Sequence, residues 1–347
     1  MVSAGVALTD SDYVCVLKTK QAELDCLSGI VRDAFVPLFE APSRERAAGL
    51  VVKWGAGSDV CWVQPLNIEG LDDPSWGAEI DDIFSTLRAG SVAAVPVATL
   101  EEVPDAIAAL ANVIATDGRG IVLRLDAEDL AVSTPAVTSS DLVDFMTSYS
   151  VVHSDIDLVI DATLVRSSVA SRISIIESAL KVIPTIGAWR SLILTFSAFP
   201  DDMGNKMGRS TVGSFDRADR DAYLSLVSRG LPRDATYGDC GIGLPTYPNS
   251  DAAWSPIPNI KYTDVAEWRV HRGASKSAPS PQYVQLAKDL AAAPYYRGSG
   301  FSHGDGYIAS VASGTSAGPG NATTYLRAGL SHHIEHVLDR LATHGEP

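Results

Sequence analysis

The sequence lacks the features that define several common classes of protein. It has no run of five Lys or Arg residues and carries a formal net charge of −15, so charge repulsion argues against broad binding to nucleic acid. No segment approaches the roughly 18 uninterrupted apolar residues of a membrane helix. The first residues show neither a basic leader nor a long apolar stretch. We therefore expect a cytoplasmic protein with no membrane partner.

Cysteine is scarce as well, and the familiar catalytic motifs are absent. The four cysteines form no C-x-x-C pair, which fits a reducing compartment better than a disulfide framework. There is no phosphate-binding G-x-x-x-x-G-K-[ST] loop and no G-x-S-x-G elbow. The glycines of residues 238–243 (GDCGIG) lack the strand–GxGxxG–helix setting of a dinucleotide site.

The chain does contain a regular alternation of short apolar segments and longer helical patterns. With 46% hydrophobic and 20% charged residues over 347 positions, it can bury a large core. The predicted helices cover residues 21–31, 43–53, 75–88, 101–115, 139–149, 168–183 and 218–228. The predicted strands cover residues 13–17, 35–40, 60–66, 92–97, 121–126, 157–161, 191–197 and 235–242.

Eight such units predict an α/β fold, a single (β/α)8 TIM-like barrel of parallel strands, formed by residues 1–245. The eighth strand has the weakest pattern. Residues 246–347 depart from the alternation and are expected to pack on the same barrel. They predict a hairpin (260–263 and 267–271), a helix (281–293), a long Gly-rich loop (297–321) and a closing helix (323–342).

Most of these strands have polar residues near their carboxyl ends. Residues two apart in a strand share a face, so these polar residues lie on the same face as apolar residues earlier in the strand. If that face pointed outward, Arg124 would lie unpaired beneath helices, at a large cost in free energy. We therefore predict that it points into the barrel, where active sites gather at the carboxyl ends of the strands. The side chains predicted to meet there are those of Lys18, Lys20, Glu40, Arg124, Asp126, Asp161 and Asp239.

Three interpretations of this cluster remain open. The charges could be salt bridges that tie the barrel rim together. The acids could hold a divalent cation through oxygen ligands, although neighbouring lysines weaken that version. Alternatively, the cations grip a phosphate or carboxylate while an acid acts as general base. The predicted binding residues are then Lys18, Lys20, Glu40, Arg124 and Asp239, and the predicted catalytic residues are Asp126, Asp161, His303 and His333.

The two histidines come from the C-terminal region. His303 lies near Asp305 in a Gly-flanked segment, FSHGDG, which we interpret as a flexible loop. Residues 332–336 (HHIEH) match the H-x-x-E-H pattern of zinc peptidases. Those enzymes need a further acidic ligand well downstream, and only eleven residues follow His336. We instead expect His332 or His333 to reach back to the barrel mouth or to have a structural role.

Several segments together resemble the "beta protein" family, which is named for a protein of phage T4. They are YVCVLKTKQAELDCL and VPLFE near the start, GIVLRLD and DLVID in the middle, and YYRGSGFSHGDGYI and GLSHHIEHV near the end. The resemblance implies a barrel protein of phages and bacteria, found near mobile-element and phage-defence genes. It implies that Lys18, Lys20, Glu23, Asp126, Asp161, the FSHGDG segment and His332–His333 are motif positions, with no assigned catalytic role.

Three functional hypotheses follow. The first is a barrel hydrolase that acts on a phosphoester or nucleotide-like anion. The second is a ligand-sensing or protein-binding component of a phage-defence or phage–host system, without chemistry of its own. The third is that the rim charges are structural and that function lies on an outer surface.

Overall fold

The computed structural model describes residues 5–55, 59–165, 167–247 and 256–347. The strands are β1 (Tyr13–Lys18), β2 (Phe35–Ala41), β3 (Val60–Pro65), β4 (Ala93–Ala98), β5 (Ile121–Asp126), β6 (Ile156–Ala162), β7 (Ser191–Phe196), β8 (Thr211–Asp216), β9 (Thr236–Asp239), β10 (Asn259–Thr263) and β11 (Glu267–Arg272). No described helix is both long enough and apolar enough to cross a lipid bilayer.

Helices follow most of the strands. They are α1 (Gln21–Asp25), α2 (Arg44–Trp54), α3 (Asp73–Ala89), α4 (Pro104–Asp117), α5 (Ala127–Val132), α6 (Pro135–Tyr149), α7 (Val169–Val182), α8 (Met203–Lys206), α9 (Ala218–Arg229), α10 (Pro279–Ala291), α11 (His303–Ser313) and α12 (Ala322–His344).

Eight parallel strands close the predicted barrel. Their order is β1-β2-β3-β4-β5-β6-β7-β9, and β9 pairs with both β7 and β1. The weakly patterned eighth segment, residues 235–242, therefore does supply the closing strand. The fold prediction is confirmed, and its basis was the number of strand–helix units, because fewer units would leave an open sheet.

The barrel has two apolar layers separated by its strands. The interior is filled mainly by β-branched residues from alternate positions, namely Val14, Val16, Val36, Val60, Val95, Val97, Val122, Val159 and Ile193, together with Leu38 and Trp62. The intervening positions pack outward against the helices, as Tyr13, Phe39, Leu123 and Ile160 do. This interior is a packed floor beneath the carboxyl ends of the strands, so polar groups cluster above it.

A second, antiparallel sheet lies outside the barrel. Its order is β10-β11-β8. The hairpin of β10 and β11 was predicted, but β8 was not, because residues 211–216 are mostly exposed and show no apolar alternation. The chain thus leaves the barrel after β7, adds one strand to the outer sheet and returns through α9 to β9.

Residues 297–321 are not one continuous loop as expected. Helix α11 occupies their middle, and Ser302 caps it by accepting a hydrogen bond from the backbone N–H of Asp305. Ile308 and Val311 of this helix pack into a third apolar cluster with α10, α12 and β10. The several glycines concealed the helix, although the S-x-x-D spacing of Ser302 and Asp305 is a common start signal.

Gly304 allows α11 and α12 to approach closely, so a larger residue at this position should destabilise the fold. A Cβ atom at Gly304 would lie 2.0 Å from the carbonyl oxygen of Ala328, so one helix would have to move. We expect Gly304→Ala to lower the free energy of unfolding by about 1–3 kcal/mol, despite the better helix propensity of alanine. Guanidinium denaturation would measure it. Gly300→Ala is the control, because its Cβ meets nothing within 4 Å. Equal midpoints for both variants would contradict the close-contact argument.

Candidate functional site

Arg124 lies at the centre of a buried charge cluster inside the barrel mouth. Its Nε is 2.6 Å from Asp161 Oδ2, and its Nη1 is 3.1 Å from Glu40 Oε1 and 2.6 Å from Gln64 Oε1. Burial on its own would lower the pKa of Arg124. The negative charges of Asp161 and Glu40 outweigh this effect, and the pKa lies above its usual range. The guanidinium therefore stays charged and connects its own strand, β5, to β2, β3 and β6.

Asp161 has little capacity left for chemistry. Its Oδ1 accepts hydrogen bonds from the Thr195 hydroxyl, at 3.1 Å, and from the backbone N–H of Thr163, at 2.8 Å. Its Oδ2 contacts Arg124. Because both oxygens are engaged with strong donors, Asp161 is better suited to orient Arg124 than to accept a proton.

Lys18 and Glu40 retain unused hydrogen-bonding capacity beside this cluster. Lys18 is 7% exposed, and among the described residues its Nζ donates only to the carbonyl of Leu244, at 2.5 Å, with no carboxylate in ion-pairing range. Glu40 is 4% exposed, and its Oε2 has no hydrogen-bond partner in the described chain. A buried cation and a buried acceptor, each incompletely satisfied, are a costly arrangement unless a ligand or water completes it.

The buried thiol of Cys240 is close enough to four of these charged groups for each of them to affect its pKa. Burial is the main factor that raises its pKa, and the charges of Asp161 and Glu40 raise it further, while those of Lys18 and Arg124 lower it. A single side chain thus senses four charges contributed by four strands of the barrel. We call Lys18, Glu40, Gln64, Arg124, Asp161 and Thr195 the mouth cluster.

Two predicted members lie at the edge of this cluster. Strand β1 ends at Lys18, so Lys20 falls outside the alternation and instead precedes α1, with its Nζ 5.1 Å from the ring centroid of Tyr247. Asp126 ends β5 beside Asp161 in the strand register, but its Oδ1 caps α5 by accepting from the N–H groups of Glu128 and Asp129. Parity fails at both positions because the chain turns there.

Sequence reasoning missed Lys261 as a contributor at the mouth. Its Nζ donates to the carbonyl of Ile242, at 2.8 Å, and lies 4.0 Å from the ring centroid of Phe199. Burial lowers the pKa of Lys261 to about 8, against the opposing effect of Glu23. Burial also raises the pKa of Glu23, whereas Lys18, Lys20 and Lys261 lower it. Lys261 belongs to the outer sheet, so nothing in its local sequence indicated that it would reach the barrel.

Asp239 lies outside the barrel interior, and the parity prediction for β9 is wrong. Gly238 faces inward instead, where a Cβ would lie 2.6 Å from Thr195 Cγ2 and 3.1 Å from the carbonyl of Val14. The interior has no room for a side chain at that point, so Tyr237 and Asp239 point outward. A glycine inside a predicted strand was the available signal.

His333 also belongs to this outer side, where it joins a fully buried network. Its Nε2 donates to Asp239 Oδ2 at 2.9 Å, and its Nδ1 lies 2.8 Å from the Thr263 hydroxyl. Tyr13 and Tyr237 donate to Asp239 at 2.6 and 3.0 Å. Burial would raise the pKa of Asp239. The charge and hydrogen bond of His333, and the hydrogen bonds from Tyr13 and from the N–H of Gly241, outweigh burial and lower the pKa to about 2. This outer network ties α12 to β1 and β9.

The H-x-x-E-H residues of α12 do not converge on a metal. His332 contacts Asp305 Oδ2 and the carbonyl of Thr263, at 2.9 and 2.8 Å, whereas Glu335 accepts from the N–H of Val31. His336 is buried without a described hydrogen-bond partner, and burial lowers its pKa far below the usual range. No group of three or more His, Cys, Asp or Glu in the described chain is arranged to hold a metal ion.

His303 is also remote from the mouth cluster. It begins α11 and lies against Gly29, in a cavity whose lining includes no member of the mouth cluster. The residues predicted to form one site are therefore distributed over three places. Lys18, Glu40, Arg124 and Asp161 share the mouth, Asp239 and His333 share the outer network, and His303 lines the separate cavity.

The protein is thus a closed parallel (β/α)8 barrel with a buried mixed-charge cluster inside its mouth. The chain belongs to the Beta protein family, whose family model matches residues 13–339. The family resemblance inferred from the sequence segments is thereby confirmed over nearly the whole chain.

Two solved structures are similar to this chain at low identity. A mannotriose complex of a beta-mannanase from Thermomonospora fusca is 11% identical, covers 68% of this chain and 84% of that chain, and has a TM-score of 0.38. A triosephosphate isomerase from Bartonella henselae is 10% identical, covers 65% and 91%, and has a TM-score of 0.35. No curated protein matches the sequence.

Proposed function

We propose that the barrel mouth binds a small anionic ligand that also carries a hydroxyl or amine group. The observation that carries this proposal is the pairing of Lys18, a buried cation without a described carboxylate partner, with Glu40 Oε2, a buried acceptor without a described donor. A phosphate or carboxylate would accept from Lys18, while a ligand O–H or N–H would donate to Glu40. Arg124 and Asp161 would hold both groups in place.

We also propose that the protein acts in a phage-associated or phage-defence system. The family resemblance implies a phage-associated or phage-defence protein, and ligand binding at the mouth fits a sensing component of such a system. A divalent cation is not needed for this scheme, because the oxygens of Glu40 and Asp161 nearest to the centre already contact Arg124. Recognition of a protein segment would use the same two groups only if that segment presented an acidic side chain.

Hydrolysis of a phosphoester is the catalytic extension of this binding function. Glu40 would then accept a proton from the attacking water, whose oxygen bonds to phosphorus as the ester P–O bond breaks. Lys18 would neutralise the phosphoryl oxygens, and the departing alkoxide would take up the proton from Glu40 and leave as an alcohol. Glu40 replaces Asp126 and Asp161 as the proposed base, because of these three carboxylates only Glu40 has a buried oxygen without a partner in the described chain. His303 and His333 have no role in this scheme, since they lie elsewhere.

Binding can be tested with a thermal-shift screen of phosphomonoesters, nucleotides and hydroxy acids. We expect at least one compound to raise the melting temperature of the native protein and to lose that effect in Lys18→Met, with affinity reduced about tenfold to a hundredfold. Lys276→Met is the matched control, because Lys276 is exposed and follows β11 of the outer sheet. A compound that stabilises Lys18→Met and the native protein equally would argue against the proposed site.

Turnover of any compound that binds separates the enzyme from the sensor. If the site is catalytic, Glu40→Gln should reduce phosphate release about 10²- to 10⁴-fold, as expected for loss of a general base. Binding should weaken much less, because the glutamine side chain keeps an oxygen that can accept from the ligand. Release that is unaffected by Glu40→Gln would exclude Glu40 as the base. Binding with no release in the native protein would support the sensing function.

A further inference from the structure

A cavity lies between residues 25–31, residues 299–306 and α12. Its volume is about 580 Å³, which falls in the size range of small-molecule sites. The FSHGDG segment and buried or half-buried residues of α12 form much of its wall. None of Lys18, Glu40, Arg124 and Asp161 lines it, so it is separate from the proposed mouth site.

Arg327 supplies this cavity with an uncommitted cation. Its guanidinium lies 5.5 Å from the ring centroid of Tyr307, and it makes no hydrogen bond or ion pair with any other described residue. The two acids in the wall are already engaged, since Asp25 pairs with Lys53 at 2.6 Å and Glu335 accepts from the N–H of Val31 at 3.0 Å. A guanidinium without a carboxylate partner is well suited to bind an oxyanion in a forked geometry.

Further hydrogen-bond donors line the cavity beside Arg327. Ser331 is 2% exposed and accepts from the N–H of Gly304 at 3.3 Å, while its own hydroxyl proton has no acceptor among the described residues. His303, at the start of α11, has an exposed ring with no described hydrogen bond. Phe301 and several glycines complete the wall and offer apolar surface to the rest of a ligand.

We propose that this cavity binds a small organic oxyanion, either a carboxylate or a phosphate monoester. Arg327 contacts the anionic group, Ser331 and His303 donate hydrogen bonds to it, and the organic part of the ligand packs against Phe301. The presence of Glu335 in the same wall sets a limit on affinity, because its negative charge repels the ligand.

Calorimetric titration of the full chain with phenyl phosphate, benzoate and inorganic phosphate tests this proposal. We expect one of the two aromatic anions to bind more tightly than inorganic phosphate, and its identity distinguishes phosphate from carboxylate recognition. Arg327→Gln should weaken binding about tenfold to a hundredfold. Arg209→Gln is the matched control, because Arg209 is exposed and has no described partner. Glu335→Gln should have the opposite sign and tighten binding by about two- to tenfold.

A steric variant tests the location without changing any charge. A Cβ at Gly300 meets nothing within 4 Å, so Gly300→Leu should fold normally, project into the cavity and abolish measurable binding. Gly318→Leu, at another position with open space, should bind as the native protein does. Absence of binding by both aromatic anions at millimolar concentration would overturn the proposal, as would unchanged affinity in folded Arg327→Gln. Loss of binding in Lys18→Met would assign it to the mouth and would equally overturn this cavity site.

Discussion

Replacing Arg124 by glutamine is expected to lower the free energy of unfolding by about 3–5 kcal/mol, one of the two largest single effects we predict. The side chains of Arg124, Glu40 and Asp161 are 10%, 5% and 12% exposed, so the two carboxylates would remain buried without their shared counter-charge. The loss of stability arises mainly from these unpaired buried carboxylates and less from the lost hydrogen bonds themselves. Urea denaturation at neutral pH would measure it.

Two further variants show whether the effect has this origin. Arg229→Gln removes an arginine from an exposed pair with Glu177, and it should cost at most about 1 kcal/mol because solvent screens that pair. Combining Arg124→Gln with Asp161→Asn should recover part of the stability, because the double variant no longer buries the unpaired carboxylate of Asp161. If the losses of the two single variants simply add in the double variant, the charges are not coupled as described.

The second large effect concerns Asp239 and depends on pH. The folded-state pKa of about 2 lies below the value of about 3.9 for an unfolded aspartate. The carboxylate form therefore stabilises the folded protein by about 2–3 kcal/mol at pH above about 4, and this contribution disappears as the pH falls through about 2. Asp239→Asn should be less stable than the native protein at pH 6, and the difference should shrink steadily between pH 4 and pH 2.

Denaturant midpoints for the two proteins across this pH range would measure the difference. Asp201→Asn serves as the control, since Asp201 is exposed and its loss should leave the native profile unchanged in shape. A stability difference between Asp239→Asn and the native protein that stays constant down to pH 2 would show that the hydrogen bonds of the outer network, and not the ionisation of Asp239, carry its contribution.

The sequence predicted the barrel and the centre of the mouth cluster because regular strands obey simple alternation. Lys18, Glu40, Arg124 and Asp161 each lie within the last three residues of a strand. The inward positions before them are filled by apolar residues, so their common direction could be inferred. The prediction failed where alternation stops. Lys20 follows the end of β1, and Asp126 turns back to cap α5.

Other features could not be predicted, because they depend on contacts between residues that are far apart in the sequence. Asp239 faces outward because Gly238 fills a crowded position in the interior, and that crowding comes from β1 and β7. Lys261 reaches the mouth from a strand of the outer sheet. In the separate cavity, Arg327 is a single helical residue, and residues 25–31 and the start of α11, which are distant in the sequence, line the same space.

The excursion of β8 out of the barrel affects how this chain could be divided or shortened. A fragment that ended at residue 245 would keep every barrel strand, but it would lose β11, the strand that pairs with β8. It would also lose His333, and Asp239 would be left buried without its imidazole partner. Unpaired edge strands promote association between chains. We therefore expect such a fragment to aggregate, and we expect the C-terminal hundred or so residues to be required for the barrel to fold.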